Sequence, residues 1–418
     1  MDLITELEAF LPSLIKLRRD LHKNPELSGT EVNTAKRILA FFAHFRPDEI
    51  ISKIGGHGIA FIFKGQAPGP TVIIRCELDA LPIAERNDFE YRSMNSNISH
   101  ACGHDGHMTI VAAVGHMLAN ERPKYGQVVL LYQPAEETGE GAEMVVQDPK
   151  FRSLNPDYVF ALHNLPGYPM GSIMVKSGTF SCASRGMIIK LTGLTSHAAW
   201  PEHGRSPAIP MCQIIEGLTD FSSVLEPNGV LTQVTLIHSR LGEPAFGTSP
   251  GYAEIMATLR TETDKSMTLL VEKASKLVQD KALSAGLEFQ VSWSDEFVTT
   301  SNHKEVCRII EQAARSAGLD VLPMEKPLRS SEDFGRFTST IPGAMFGVGA
   351  GEKRAQLHTP YYDFPEEIIT IGTKVFLGII HRLLYETNET YDNNMKRTVN
   401  LPLHHIFQPF YPFNRRRV

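Results

Sequence analysis

The sequence is short of cysteine, of long apolar runs and of net charge, and each shortage closes off a class of protein. Five cysteines stand among 418 residues, Cys76, Cys102, Cys182, Cys212 and Cys307, an odd number with no C-x-x-C pair. That argues against a disulfide framework and for a reducing, cytoplasmic compartment. No apolar run of ~18 residues occurs, so no membrane-spanning helix and no membrane partner are expected. The first residues carry acids where a secretory leader needs lysines. The formal net charge is only −6, which leaves no basic footprint for nucleic acid. Three catalytic signatures are missing as well: H-E-x-x-H, the G-x-S-x-G nucleophile elbow and the G-x-x-x-x-G-K-[ST] phosphate loop.

What is present is an ordinary soluble composition. Hydrophobic residues make up 42% and charged residues 21%, enough to bury a large core without staples. At ~150 residues per domain the length suggests two or three domains. Sixteen histidines, several of them clustered, are the one unusual count.

Helical spacing of apolar residues predicts helices over 3–21 and 30–45. Strands are expected at 58–64, 71–76, 127–133 and 157–162, with helices between them. Asp105 is read as the cap of a helix running to about Asn120. Such alternation points to an α/β sheet that is at least partly parallel. From about Ser184 the order becomes strand, helix, strand, strand, helix, strand, that of a ferredoxin-like unit. Beyond Thr299 the alternation resumes with a helix at 304–317, a strand at 344–348 and a final helix at 366–385. The expectation is therefore a catalytic domain in two parts, 1–183 and 299–390, interrupted by a second domain at 184–298. A C-terminal extension, 391–418, rich in aromatic and basic residues, follows.

Three predicted strands end in chemistry-bearing residues: Glu77-Leu78-Asp79, Pro134-Ala135-Glu136-Glu137 and His163-Asn164. Ligands of open α/β sheets gather at that edge. The densest cluster is His100-Ala101-Cys102-Gly103-His104-Asp105-Gly106-His107, with four sulfur or imidazole donors in eight residues. Cys102 and His104 alternate along an extended segment and so can face one centre. Which of the three histidines binds stays open on spacing alone. Thiolate, imidazole and carboxylate together suit zinc, manganese, cobalt or nickel. Adjacent Glu136 and Glu137 diverge on an extended strand, so one can hold a metal while the other moves a proton.

These segments, in this order, resemble the amidohydrolase branch of metallopeptidase family M20. The match also includes Leu21–Leu27, Leu78–Pro82, Gln133–Glu137, Ser196–Ala199, Ser331–Phe334, Ile341–Ala344 and Leu357–Pro360. The resemblance implies a mixed-sheet α/β catalytic domain with an inserted ferredoxin-like lid, and a site for two divalent ions. Cys102 would bridge the ions, His104 and His163 would complete one position, and Glu137 and His358 the other. Glu136 would be general base and acid, and Asp79 would orient a ligand. His197 would be the lid histidine that reaches the substrate carbonyl, in a dimer across the interface. Arg260 would stand near the substrate carboxylate. The implied activity is hydrolysis of small N-acyl amino acids, with a homodimer formed through the lid. A dipeptidase or carboxypeptidase of the same fold, or a binding protein with a relic metal site, are the rival readings. The sequence departs from the family at Glu77, where Asp is usual, at Thr195-Ser196 in place of Gly-Gly, and at Gly247–Tyr252. The last two departures lie where lid meets substrate and bear on specificity.

Overall fold

The computed structural model describes residues 3–224 and 231–385. The extension at 391–418 lies outside the described residues. A mixed eight-stranded sheet forms the larger body, in the spatial order Glu49–Ile54, Gly58–Lys64, Tyr125–Gln133, Ala67–Glu77, Tyr158–Leu165, Gly343–Gly349, Ile173–Val175 and Val321–Pro323. The four strands from Tyr125–Gln133 to Gly343–Gly349 run parallel to one another. Their carboxyl ends therefore collect at one edge.

The apolar runs in these strands are continuous because both faces are covered. In Gly58–Lys64, Ile59, Phe61 and Phe63 enter one core, while Ala60 and Ile62 enter another. The first core is closed by Leu3–Lys23, Val32–Phe42, His104–Asn120, Lys304–Ser316 and Ile368–Leu384. Gly141–Gln147, Pro149–Arg152 and Gly335–Thr338 close the second.

The insertion is an antiparallel sheet in the order Thr232–Leu241, Tyr252–Thr261, Ala183–Thr192, Glu288–Phe297. Its helices, Ala208–Val224 and Asp264–Ser284, pack over one face. Met187, Ile189 and Leu191 alternate with partly exposed or exposed Ile188, Lys190 and Thr192, as a one-sided sheet requires. This is the β-α-β-β-α-β unit that the sequence order predicts.

Three local expectations need correction. Asp105 is not a cap. The cap is Gly103, in the left-handed region at φ 93°, and Asp105 sits inside the first turn with its carboxylate taken by Arg18 and His22. Glu136 and Glu137 are not on an extended strand. Pro134 stops the strand, Ala135 turns at φ 52°, and both glutamates fall in the turn that follows. His163 and Asn164 lie within Tyr158–Leu165 rather than after it.

Candidate metal centre

Four strand ends and one helix start build the site. Ala67–Glu77 leads to Asp79, Tyr125–Gln133 to Glu136 and Glu137, and Tyr158–Leu165 carries His163. His104 opens the helix His104–Asn120, directly after Cys102 and Gly103. The loop after Gly343–Gly349 returns His358, whose N–H donates to the Ala101 carbonyl at 2.9 Å. The glycines of the cluster are needed by contact as well as by torsion. A Cβ at Gly103 would meet Asn164 Oδ1 at 2.5 Å, and one at Gly106 would meet the Phe364 ring at 2.3 Å.

The sulfur of Cys102 is the common point. His163 Nε2 lies 3.5 Å and His358 Nε2 3.4 Å from it. Donor atoms of Cys102, His104 and His163 all fall within 4.8 Å of one another, and so do those of Cys102, Glu137 and His358. The structure thus brings all five expected ligand residues together, in two groups that share the thiol. Glu136 stands beside them, its Oε2 3.7 Å from His104 Nε2.

Hydrogen bonds aim the rings. His104 Nδ1 faces the Asp79 carbonyl at 2.9 Å and His163 Nδ1 the Asn164 carbonyl at 2.8 Å. A carbonyl only accepts, so both Nδ1 atoms must donate and both Nε2 lone pairs point inward. Asp79 does more through its carboxylate, where Oδ2 accepts from Ser28 Oγ at 2.7 Å and from the Glu137 N–H at 2.9 Å. It therefore holds a ring on one side and a turn on the other.

Two buried atoms able to ligate a metal, His104 Nε2 and Glu137 Oε1, have no hydrogen-bond partner among the described residues. The electrostatics carry the same message. Burial pushes Glu137 up to about 7, although the His104 ring pulls the other way. Burial, then Glu332, Glu137 and Asp333, hold Glu136 well above the usual carboxylate range. Burial also raises the Cys102 thiol, and the two glutamates add to it. His163 falls to about 3 through burial and the adjacent His107, and His358 to about 4 through burial and His104. Burial opposes a charge on His104, but Asp79, Glu77 and Glu137 outweigh it and raise the ring to about 10. Glu136, Glu137 and the Cys102 thiol are forced toward neutrality, and the His163 and His358 rings lose their charge, so His104 alone among these groups is drawn to a positive charge and the site is short of it. The donor set fits divalent cations.

A buried polar layer supports the ligands. Arg75 pairs with Glu77, with Asp333 at 2.6 Å and with Glu332 at 2.9 Å, and donates to Gln133 Oε1 at 2.8 Å. Glu77 also meets His107 Nδ1 at 2.7 Å, and the other nitrogen of that ring meets Asn164 Oδ1. Both nitrogens of His107 are thus engaged, which removes it from the ligand candidates. Arg75, Glu332 and the Glu77–His107 pair were not among the expected site residues. The run Arg75-Cys76-Glu77 and the motif Ser331–Phe334 were the signals that pointed to them.

Arg260 lines the same cavity of about 410 Å³ as Cys102, Glu136, Glu137, His163 and His358. Its Nη1 donates to Ser331 Oγ at 2.7 Å and to the Arg329 carbonyl at 2.9 Å. His197 is the exception. It is exposed, paired in a two-residue strand with Thr248, and absent from the cavity wall. Within one chain the structure does not bring it to the other site residues.

No helix among the described residues is long and apolar enough to cross a membrane. The profile of peptidase family M20/M25/M40 matches residues 73–382. An N-acetyldiaminopimelate deacetylase of Priestia megaterium is 30% identical over 367 residues, 87% of this chain and 97% of the relative. An N-acetylcysteine deacetylase of Bacillus subtilis is 27% identical, covering 88% and 96%. Among solved structures, the YXEP protein of Bacillus subtilis, a dinuclear metal-binding peptidase of the M20 family, superposes with a TM-score of 0.76 at 27% identity over 91% of this chain and all of that one. The chain is a metal-dependent hydrolase of amide carbon–nitrogen bonds. Its strand-edge thiol, imidazoles and carboxylates, its inserted lid and these likenesses agree that it belongs to peptidase family M20/M25/M40, in the amidohydrolase branch.

Proposed function

We propose that this protein hydrolyses N-acyl amino acids to a carboxylic acid and a free amino acid. One observation carries the reading: Glu136 stands at the wall of a cavity that Cys102, Glu137, His163, His358 and Arg260 also line, with the His104 ring nitrogen grouped with Cys102 and His163. Cys102, His104 and His163 would hold one divalent ion, and Cys102, Glu137 and His358 the second. Zinc, manganese, cobalt and nickel all suit these donors. When bound, such ions supply Lewis acidity that acidifies water and polarises the amide carbonyl.

The chain's own residues do the rest. Glu136 takes a proton from water and delivers it to the leaving nitrogen as the carbon–nitrogen bond breaks. Asp79 keeps His104 and the Glu137 turn in place. The guanidinium of Arg260, anchored on one nitrogen only by Ser331 and Arg329, receives the substrate carboxylate. Leu165, Phe180, Phe297, Leu328 and Met345 line the cavity with apolar surface and accept the acyl group or the amino-acid side chain.

His197 acts from a second copy. It is exposed and away from its own cavity, and the lid's edge strand Thr232–Leu241 leaves Leu236, Ile237 and Leu241 exposed. A homodimer through the lid would cover those residues and bring the histidine to the neighbouring carbonyl. We assign 1–183 and 299–390 to the catalytic domain, 184–298 to the lid and 391–418 to an extension, and place the protein in the cytoplasm, where its free cysteines fit.

The test is turnover on a panel of N-acetyl and N-benzoyl amino acids and dipeptides, with Glu136→Ala beside the wild type. Hydrolysis of acyl amino acids over dipeptides is expected. Glu136→Ala should retain at most a few per cent of the rate, on the scale of ~10²-fold or more for general acid–base catalysis, with its metals still bound. Higher residual activity sinks the assignment.

A further inference from the structure

The motif Ser331-Glu332-Asp333-Phe334 has a structural use at Asp333 and Phe334, but Glu332 is not accounted for by packing. Asp333 accepts from Gln133 Nε2 and the Ala142 N–H, both at 2.7 Å, and Phe334 lies in the second core. Glu332 is 4% exposed, yet it lines the cavity. Its Oε1 lies 2.9 Å from Arg75 Nη2, yet that buried oxygen has no hydrogen-bond partner among the described residues. Arg75 does not need this partner. Its guanidinium already meets Glu77, Asp333 and Gln133. A buried carboxylate beyond what its cation requires is costly unless something else pairs with it. Oxygens of Glu136, Glu332 and Asp333 fall within 4.8 Å of one another.

Ser331, the preceding residue, holds Arg260 through its hydroxyl at 2.7 Å. Two consecutive residues thus present opposite charges to one cavity, the guanidinium through Ser331 and the carboxylate of Glu332. An α-amino acid carries its nitrogen and its carboxylate on one carbon, with opposite charges once the amine is free. Resting on the proposed hydrolysis of N-acyl amino acids, we propose that Glu332 is a substrate-binding residue that accepts a hydrogen bond from the scissile amide N–H and then from the amine of the product, while Arg260 holds the carboxylate.

Proton and electron accounting are simple. The carbon–nitrogen pair leaves with nitrogen, and the proton that Glu136 took from water goes to that nitrogen. Glu332 accepts from the N–H already present and transfers nothing. It thereby fixes the nitrogen lone pair toward Glu136, which is a requirement of orientation. A structural counter-ion for Arg75 would have no such preference for an amine.

The experiment measures binding by calorimetry to the metal-loaded full chain. Two ligands are compared: the amino acid released from whichever acyl amino acid of the panel is hydrolysed fastest, and the carboxylic acid of the same skeleton with hydrogen in place of the amine. Wild type should prefer the amine-bearing ligand by about tenfold or more, the scale of a hydrogen bond to a charged group. In Glu332→Gln that preference should vanish, kcat/KM should fall by a similar or larger factor, and metal content should stay at the wild-type value. An unchanged preference overturns the proposal, and so does loss of the metals, which would mark Glu332 as structural. Should Glu332→Gln not fold, Glu332→Asp decides: it keeps the charge and should keep the preference, and equal binding of the two ligands overturns the assignment. Hydrolysis by the wild type with an unaltered preference in Glu332→Gln sinks this proposal alone. A wild type that neither hydrolyses the panel nor binds free amino acids sinks the underlying functional reading as well.

Discussion

Cys102 is the residue on which the two ligand groups meet, so its loss should differ in kind from the loss of any other ligand. Cys102→Ala is expected to lower the metal content of the purified protein well below that of His163→Ala, as read by elemental analysis, since only Cys102 serves both groups. Retention of both ions by Cys102→Ala would contradict the shared thiol. Gly103→Ala probes the same centre through the backbone. A left-handed φ of 93° and a Cβ 2.5 Å from Asn164 Oδ1 put the cost at roughly 1–3 kcal/mol. The measurement is the denaturation midpoint, which should fall, together with a weaker metal affinity. At this scale the sequence was legible in residue types and opaque in choice. His100, His104 and His107 look alike on paper. Only the fold shows that Glu77 and Asn164 occupy His107, that the ring nitrogens of His100 are buried without partners, and that His104 alone offers a ring nitrogen to Cys102 and His163.

The helix Leu3–Lys23 illustrates what an element adds. Its apolar positions Leu7, Leu14, Leu17 and Leu21 enter the main core, as the helical spacing predicts. Its polar face does something the spacing cannot reveal. Arg18, fully buried, reaches Asp105 at 3.2 Å, Asp363 at 2.7 Å and Glu366 at 2.8 Å. His22 lies between Asp105 at 2.9 Å and Glu85 at 3.1 Å. Asp105 follows His104, so the N-terminal helix braces the start of the helix His104–Asn120. Arg18→Ala removes the buried guanidinium that Asp105, Asp363 and Glu366 share, leaving His22 alone beside Asp105, and should cost about 3–5 kcal/mol, read as a large drop in thermal midpoint. A drop no larger than that of an exposed arginine would refute the brace. For His22, burial opposes the charge, but Asp105 and Glu85 prevail and raise the ring to about 9. A raised value means a stabilising contribution fully present below about 6.5 and lost as pH rises through about 9. Between those values the denaturation midpoint of wild type should fall more than that of His22→Gln, and parallel curves would contradict the assignment. Elements with long apolar periodicity were legible throughout. Glu49–Ile54 was not, because its exposed edge carries no alternation, and Ile173–Val175 and Val321–Pro323 are too short to show one.

For the whole molecule, the legible part was topology: the interrupted α/β rhythm and the ferredoxin-like order both appear in the sheets. The convergence of strand ends separated by dozens of residues on Cys102 was inferable from parallel pairing. The exposed position of His197, away from the cavity wall, was not. The proposed homodimer makes a sharp prediction there. Glu136→Ala and His197→Ala chains should each be nearly inactive, yet a refolded mixture should regain activity, because a mixed dimer holds one site with both residues intact. No recovery in a mixture shown to contain mixed dimers would contradict delivery of His197 across the interface. The central claim, a two-ion site built on one shared thiol, has a more direct test. Anomalous diffraction from crystals grown with manganese should show two peaks flanking the Cys102 sulfur, one beside His104 and His163 and the other beside Glu137 and His358. A single peak, or ions bound away from Cys102, would contradict it.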